Sequence, residues 1–239
     1  MFASRAVYKY LADIVFPNTC AFCGKVIKWD GLLCEKCKED MPETFDGLIR
    51  IENTDGAVGV FYYEGDIIGL IYKLKHGDAV FNFAELCAGM ISDKLRDKGI
   101  ADDIDIVTAV PMHFSKKMVR GRDQAELLAK FTADKLGKPT DFNLLGRKKD
   151  KTEQHKLERD ERKSHAEEVY TALPKHRDIS GKTILICDDV ITTGSTIIAC
   201  AAKLKSMGAK KIYACSAAVS AVYKNRGNTD GIFSYQLQF

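Results

Sequence analysis

ICDDVITTGST, residues 186–196, joins the end of an apolar run to two adjacent carboxylates and then to a series of hydroxyls around one glycine. Ile184, Leu185 and Ile186 read as the end of a buried strand, and the helical pattern resumes at Ile197. Residues 188–196 are therefore predicted to form a strand-to-helix loop, the place where ligands sit in open α/β sheets. Backbone amides at the start of a helix near Ser195, with the helix dipole behind them, welcome an anion such as a phosphate. Thr192, Thr193, Ser195 and Thr196 add hydroxyl donors, and Gly194 lets the backbone come close. Asp188 and Asp189 would repel the same phosphate, so they must serve another part of the ligand; carboxylates accept the vicinal hydroxyls of a sugar, or a magnesium ion. A sugar 5-phosphate satisfies both halves.

Working outward, residues 57–63, 104–110, 183–187 and 211–219 have strand character, and residues 80–96, 123–136 and 195–207 have helical period. Strands alternating with helices at this spacing predict an α/β domain, a mostly parallel sheet with helices on both faces. The order Gly181-Lys182-Thr183 suggests a nucleotide-binding glycine loop, but His176 stands where that loop requires its first glycine, and the triplet precedes a strand.

The whole chain of 239 residues carries 36 Lys and Arg against 33 Asp and Glu, a net charge of +3 that does not by itself select nucleic acid or an anionic membrane as partner. No run approaches the ~18 apolar residues of a membrane span. Residues 1–17 have apolar positions at helical spacing, interrupted by Arg5, Lys9 and Asp13, with no small-residue cleavage site after them. They read as a short amphipathic helix, docked on its own protein or lying on a membrane surface, and not as a secretory signal.

Four of the eight cysteines form two knuckles, Cys20-Ala-Phe-Cys23 and Cys34-Glu-Lys-Cys37, ten residues apart. Such a pair presents four thiolates to one zinc ion in a tetrahedron; two disulfides are the rival reading. With no secretory signal, the reducing cytoplasm is the expected compartment and structural zinc the expected occupant. Cys87, Cys187, Cys200 and Cys215 stand singly and read as small buried hydrophobes. The expected division is an N-terminal helix and zinc module over 1–45 and an α/β domain over 46–239.

GRKKDKTEQHKLERDERKSH, residues 146–165, holds eight basic and five acidic residues and one apolar one, Leu157. It cannot bury a face, so it is expected to be a lid over the ligand or a solvated helix.

CDDVITTGST resembles the phosphoribosyl diphosphate (PRPP) binding motif of the type I phosphoribosyltransferases. Together with the knuckles, the Val110-Pro111 strand end followed by RGRDQAELLA, and Gln154, Leu157 and Arg162 in the charged stretch, it resembles the ComF family over nearly the whole chain. The resemblance implies that Asp188 and Asp189 hold ribose hydroxyls, that Thr192 to Thr196 hold the 5-phosphate, and that magnesium accompanies the diphosphate. It further implies transfer of a phosphoribosyl group to a nitrogen nucleophile with release of diphosphate, by positioning and charge neutralisation. The alternative is a non-enzymatic accessory of competence and DNA uptake that touches nucleotide, single-stranded DNA or competence-machinery proteins. Basic residues near the strand ends, Lys73, Lys75, Lys116, Lys117, Arg120 and Arg122, could supply counter-charge to the diphosphate. Where the family usually has RGFNQ, this chain has Arg120-Gly121-Arg122-Asp123-Gln124. The PRPP half keeps the family pattern; the part that meets a second substrate differs.

Overall fold

A computed structural model describes residues 17–76, 81–113, 117–118, 123–147, 169–174 and 177–223. The amphipathic N-terminal stretch, Lys116, Arg120, Arg122 and nearly all of the charged stretch lie outside these residues. Along the described chain the elements run α1 (Glu35–Glu39), β1 (Gly56–Tyr62), α2 (Gly65–His76), α3 (Phe81–Asp97), β2 (Ile106–Ala109) and α4 (Gln124–Leu136). They continue with β3 (Leu145–Arg147), β4 (Tyr170–Ala172), β5 (Thr183–Ile191), α5 (Ser195–Ser206) and β6 (Lys211–Val219).

Four strands make one parallel sheet in the order β1-β6-β5-β2, and β3 and β4 pair antiparallel as a separate small ribbon. Successive side chains of a strand point to opposite faces, and the sequence supplies apolar residues for both. Val58, Val107, Leu185 and Cys215 join α3 and α4 in one core. Ala57, Ile106, Ile184, Ile186 and Ala214 join α5 in the other. The sheet is thus covered on both faces, as its run of apolar strand residues requires.

Two features depart from the sequence expectation. Strand β5 does not stop at Cys187 but runs through both acids to Ile191, because β6 keeps pairing with it: Asp188 faces Ser216, and Val190 faces Ala218. The loop before α5 is accordingly residues 192–194. Helix α2 was not anticipated; Ile67, Leu70, Ile71 and Leu74 bury one helical stripe although Gly65 and Gly69 lower its intrinsic preference.

Candidate functional site

The site is built where β5, β2 and α2 end and α4 begins. Asp188 and Asp189 leave the carboxyl end of β5 half-buried, and together they line a cleft of about 350 Å³. The Asp188 Oδ1 accepts the Asp189 N–H at 2.8 Å. Asp189 Oδ2 pairs with Lys75 Nζ at 3.0 Å, at the last turn of α2. Lys75 is itself held in place, since its carbonyl accepts from Gln124 Nε2 at 3.3 Å. Burial, followed by the charge of Asp189 beside it, pushes Asp188 up to about 8, with the Asp189 amide and Lys75 working against the rise.

The loop after β5 is organised for an anion. Gly194 takes φ +78° and caps α5 without any side-chain bond, while the Thr193 hydroxyl accepts the Ser195 N–H at 3.3 Å and lies 3.1 Å from the Ser195 hydroxyl. Ile198 N donates to Gly194 O at 2.9 Å, so the first turn of the helix offers its earlier amides outward. A Cβ at Gly194 would lie 3.3 Å from Ile51 Cγ2, so the glycine serves the left-handed turn and the close packing of Ile51 as well.

Of the residues singled out from the sequence, Asp188, Asp189, Thr192, Thr196 and Lys75 share the cleft. Thr193, Gly194 and Ser195 form the loop beside it. Lys73 is exposed and is not among the residues lining the cleft; two residues along a helix point to different sides. Lys116 and Arg120 lie outside the described residues. The structure adds Arg147 and Tyr170, brought in by the β3–β4 ribbon, with the Arg147 guanidinium carbon 5.9 Å from the Tyr170 ring centre. Burial is the main cause that pushes the pKa of the Tyr170 hydroxyl up to about 12, with the Arg147 charge working the other way. It adds also His113 and Asp123. A pairing of two three-residue strands across a long insertion leaves no periodicity to read, and only Asp123 and Gln124 stood in a motif already noted.

The knuckles meet as expected. The four sulfurs of Cys20, Cys23, Cys34 and Cys37 lie within 4.8 Å of one another, with Cys23 and Cys34 at 3.7 Å, and no disulfide joins them. Burial opposes ionisation of Cys20, but backbone N–H groups of Cys23, Cys34 and Phe22 outweigh it and lower the thiol to about 6, as a thiolate metal ligand needs. This donor set fits a closed tetrahedral zinc site. The module is part of the main core: Ala21 and Leu33 are buried in it, and the Phe22 ring stands 5.8 Å from Phe61 and 6.2 Å from Phe83. Asn82, in the first turn of α3, ties it down by donating to Asn18 Oδ1 and Thr19 O.

Comparison with known proteins agrees with both parts. Residues 122–230 match the phosphoribosyl transferase domain, and residues 11–46 match the double zinc ribbon domain. The α/β part of the chain thus contains a region similar to the phosphoribosyl transferase domain, and the N-terminal part a region similar to the double zinc ribbon, with its four cysteines clustered. Over most of its length the chain is similar to competence protein F from Haemophilus influenzae, 24% identical over 200 residues that make up 82% of each chain. It is also 50% identical over 40 residues to ribose-phosphate pyrophosphokinase from Thermococcus kodakarensis, a stretch that covers 17% of this chain and only 14% of that enzyme. Among solved structures, the purine phosphoribosyltransferase from Pyrococcus horikoshii is 21% identical over 62% of this chain and 76% of its own, with a TM-score of 0.37. No helix among the described residues is long and apolar enough to cross a membrane.

Proposed function

We propose that the cleft at the end of β5 binds PRPP, with the 5-phosphate on the loop 192–196 and the ribose hydroxyls on Asp188 and Asp189, and that the protein transfers the phosphoribosyl group to a nitrogen nucleophile. The observation that carries this reading is the juxtaposition of two carboxylates with an anion-ready helix start at one parallel strand end. A ligand that is anionic at one end and rich in hydroxyls at the other satisfies both. Lys75 and Arg147 supply positive charge in the same cleft. Among the described residues only the cysteines cluster closely enough for an all-protein metal site, so magnesium would arrive with the diphosphate. Bound there, it would supply charge neutralisation to the leaving diphosphate.

Asp189→Asn, and Asp188→Asn above about pH 8 where that carboxyl is ionised, should each weaken PRPP binding by about 1.5–3 kcal/mol, the scale of a charge-assisted hydrogen bond, with the protein still folded. Calorimetric titration in magnesium reads this directly, and unaltered affinity in both variants would remove the acids from the site.

The raised pKa of Asp188 also gives binding a pH dependence. Its carboxyl holds a proton up to about pH 8, and a carboxylate is the better acceptor for ribose hydroxyls. PRPP affinity should therefore rise with pH between about 6 and 8, at most tenfold per unit because one proton is released, and Asp188→Asn should flatten the slope. The linked effect on folding has the opposite sense: protonated Asp188 favours the folded state, a contribution full below the usual carboxylate range and lost as pH rises through about 8. Release of diphosphate in the presence of an amine or heterocyclic acceptor supports the transferase. Salt-dependent retention of single-stranded DNA without such release supports the accessory role instead.

A further inference from the structure

A second cleft, of about 670 Å³, adjoins the first, and the two share Pro111, Met112, Asp123 and Arg147 as a common wall. Asp123 is the residue of that wall whose chemistry is incomplete. It is 5% exposed, and its Oδ1 caps α4 by accepting from Ala125 N at 3.1 Å and Glu126 N at 3.2 Å. Its Oδ2 is buried and has no hydrogen-bond partner among the described residues. Burial raises its pKa, with the Glu126 and Met112 amides and the charge of Lys117 working the other way. Lys117 does not neutralise it by pairing, because that ammonium is engaged by Glu126 Oε1 at 2.6 Å.

Helix capping does not explain this arrangement. Asparagine caps a helix as well as aspartate does, through the same side-chain oxygen, and would leave no buried acceptor oxygen in place of Oδ2. At Oδ2, aspartate places an acceptor where asparagine would place an N–H donor. A buried acceptor without a donor calls for one from elsewhere, and Asp123 lines both clefts.

We propose that Asp123 is a specificity-determining residue for the second ligand, its free carboxylate oxygen accepting a hydrogen bond from an amino or amidinium N–H of that ligand. The inference takes from the phosphoribosyl reading only the idea that a second ligand sits beside PRPP; Asp123 shares the second cleft with Lys117, Glu126, Asp141, Arg147 and Arg177 and contributes the buried unpaired acceptor among them. Ligands presenting a carboxylate or carbonyl oxygen to Asp123 are rejected by the same charge that welcomes the amino-bearing ones.

Matched probes test it. Benzamidine and benzoate share a ring and differ in the group they present, as do 2-aminopyridine and picolinate. Their binding is followed by the amide resonances of Met112, Ala125 and Glu126 in the parent and in Asp123→Asn, each with and without magnesium and PRPP. The parent should take benzamidine and 2-aminopyridine and exclude both acids. Asp123→Asn should bind the amino probes at least fivefold more weakly, gain affinity for benzoate or picolinate, and melt as the parent does. A parent that binds the acids, a parent that binds none of the four, or a variant with unchanged preference overturns the proposal. Titration of the same samples with PRPP keeps the two readings apart. Absence of PRPP binding in both proteins removes the phosphoribosyl reading, while the probe preference still decides the role of Asp123.

Discussion

Cys20→Ser is expected to lower the melting temperature of the whole protein by roughly 10 °C, and zinc content should fall from about one per chain to well below that. Loss of a structural zinc ligand withdraws several kcal/mol from folding, and at this chain length each kcal/mol is worth roughly 2–4 °C. The effect spreads beyond the ribbon because Cys20, Ala21 and Leu33 are buried in the core that α3 and α4 share, and because the Phe22 ring is wedged against Phe61 and Phe83. Serine at Cys23, the exposed ligand, should remove the metal with a smaller loss of packing. Elemental analysis beside a calorimetric melt decides the matter. Protein purified without zinc but with an unaltered melt would show that the ribbon is braced by its contacts alone.

Gly194→Val is expected to abolish binding of both PRPP and ribose 5-phosphate. Valine at φ +78° is a β-branched residue in the left-handed region, at a cost on the order of 1–3 kcal/mol, and its first carbon alone comes to 3.3 Å from Ile51. The turn must then open, and with it the alignment of the first amides of α5. Gly194→Ala keeps the strain but adds only that first carbon, so it should retain measurable, weakened binding. Titration with both ligands, beside a melt to confirm that the variants are folded, reads the series. A folded Gly194→Val protein that binds ribose 5-phosphate as the parent does would show that the loop is no phosphate site.

The parts of the site that the sequence disclosed are those carried by one continuous segment. Residues 184–197 pass from apolar run to acids to hydroxyls to helix, and the chemistry follows the chain in order. Strand β6 was legible over its full length because it is apolar on both faces and bounded by Lys210 and Ser220. What stayed hidden depends on contacts between distant segments. The length of β5 beyond Cys187 is fixed by its partner β6, since two adjacent acids do not read as strand. Helix α2 contains Gly65, Gly69 and three isoleucines, a composition that argues against a helix; burial of Ile67, Leu70, Ile71 and Leu74 overrides it. Lys75 was one of six candidate cations and Arg147 was not among them. Which basic residues face Asp188 depends on where α2 and the β3–β4 ribbon end, a matter of tertiary packing. Asp123 was visible as a departure from a family pattern, but its open oxygen could be seen only with the clefts on either side of it.

The strand order has a consequence for how the chain reaches this state. Strand β1 is paired with β6, the last strand of the sheet, and the strand that carries both acids lies between β6 and β2. Among the described residues, β1 and β2 have only isolated bridges, such as Ile49 to Ala57 and Val107 to Thr140, until the segment 183–219 supplies their strand partners. Among the described strands of this sheet, β5 and β6 are the pair made from neighbours in sequence, which makes β5–α5–β6 the natural nucleus. Distant pairings close large loops before they are rewarded, which slows folding. During synthesis the apolar faces of α3, β1 and β2 therefore wait for the C-terminal strands, and surface exposed in such a partly assembled state favours aggregation.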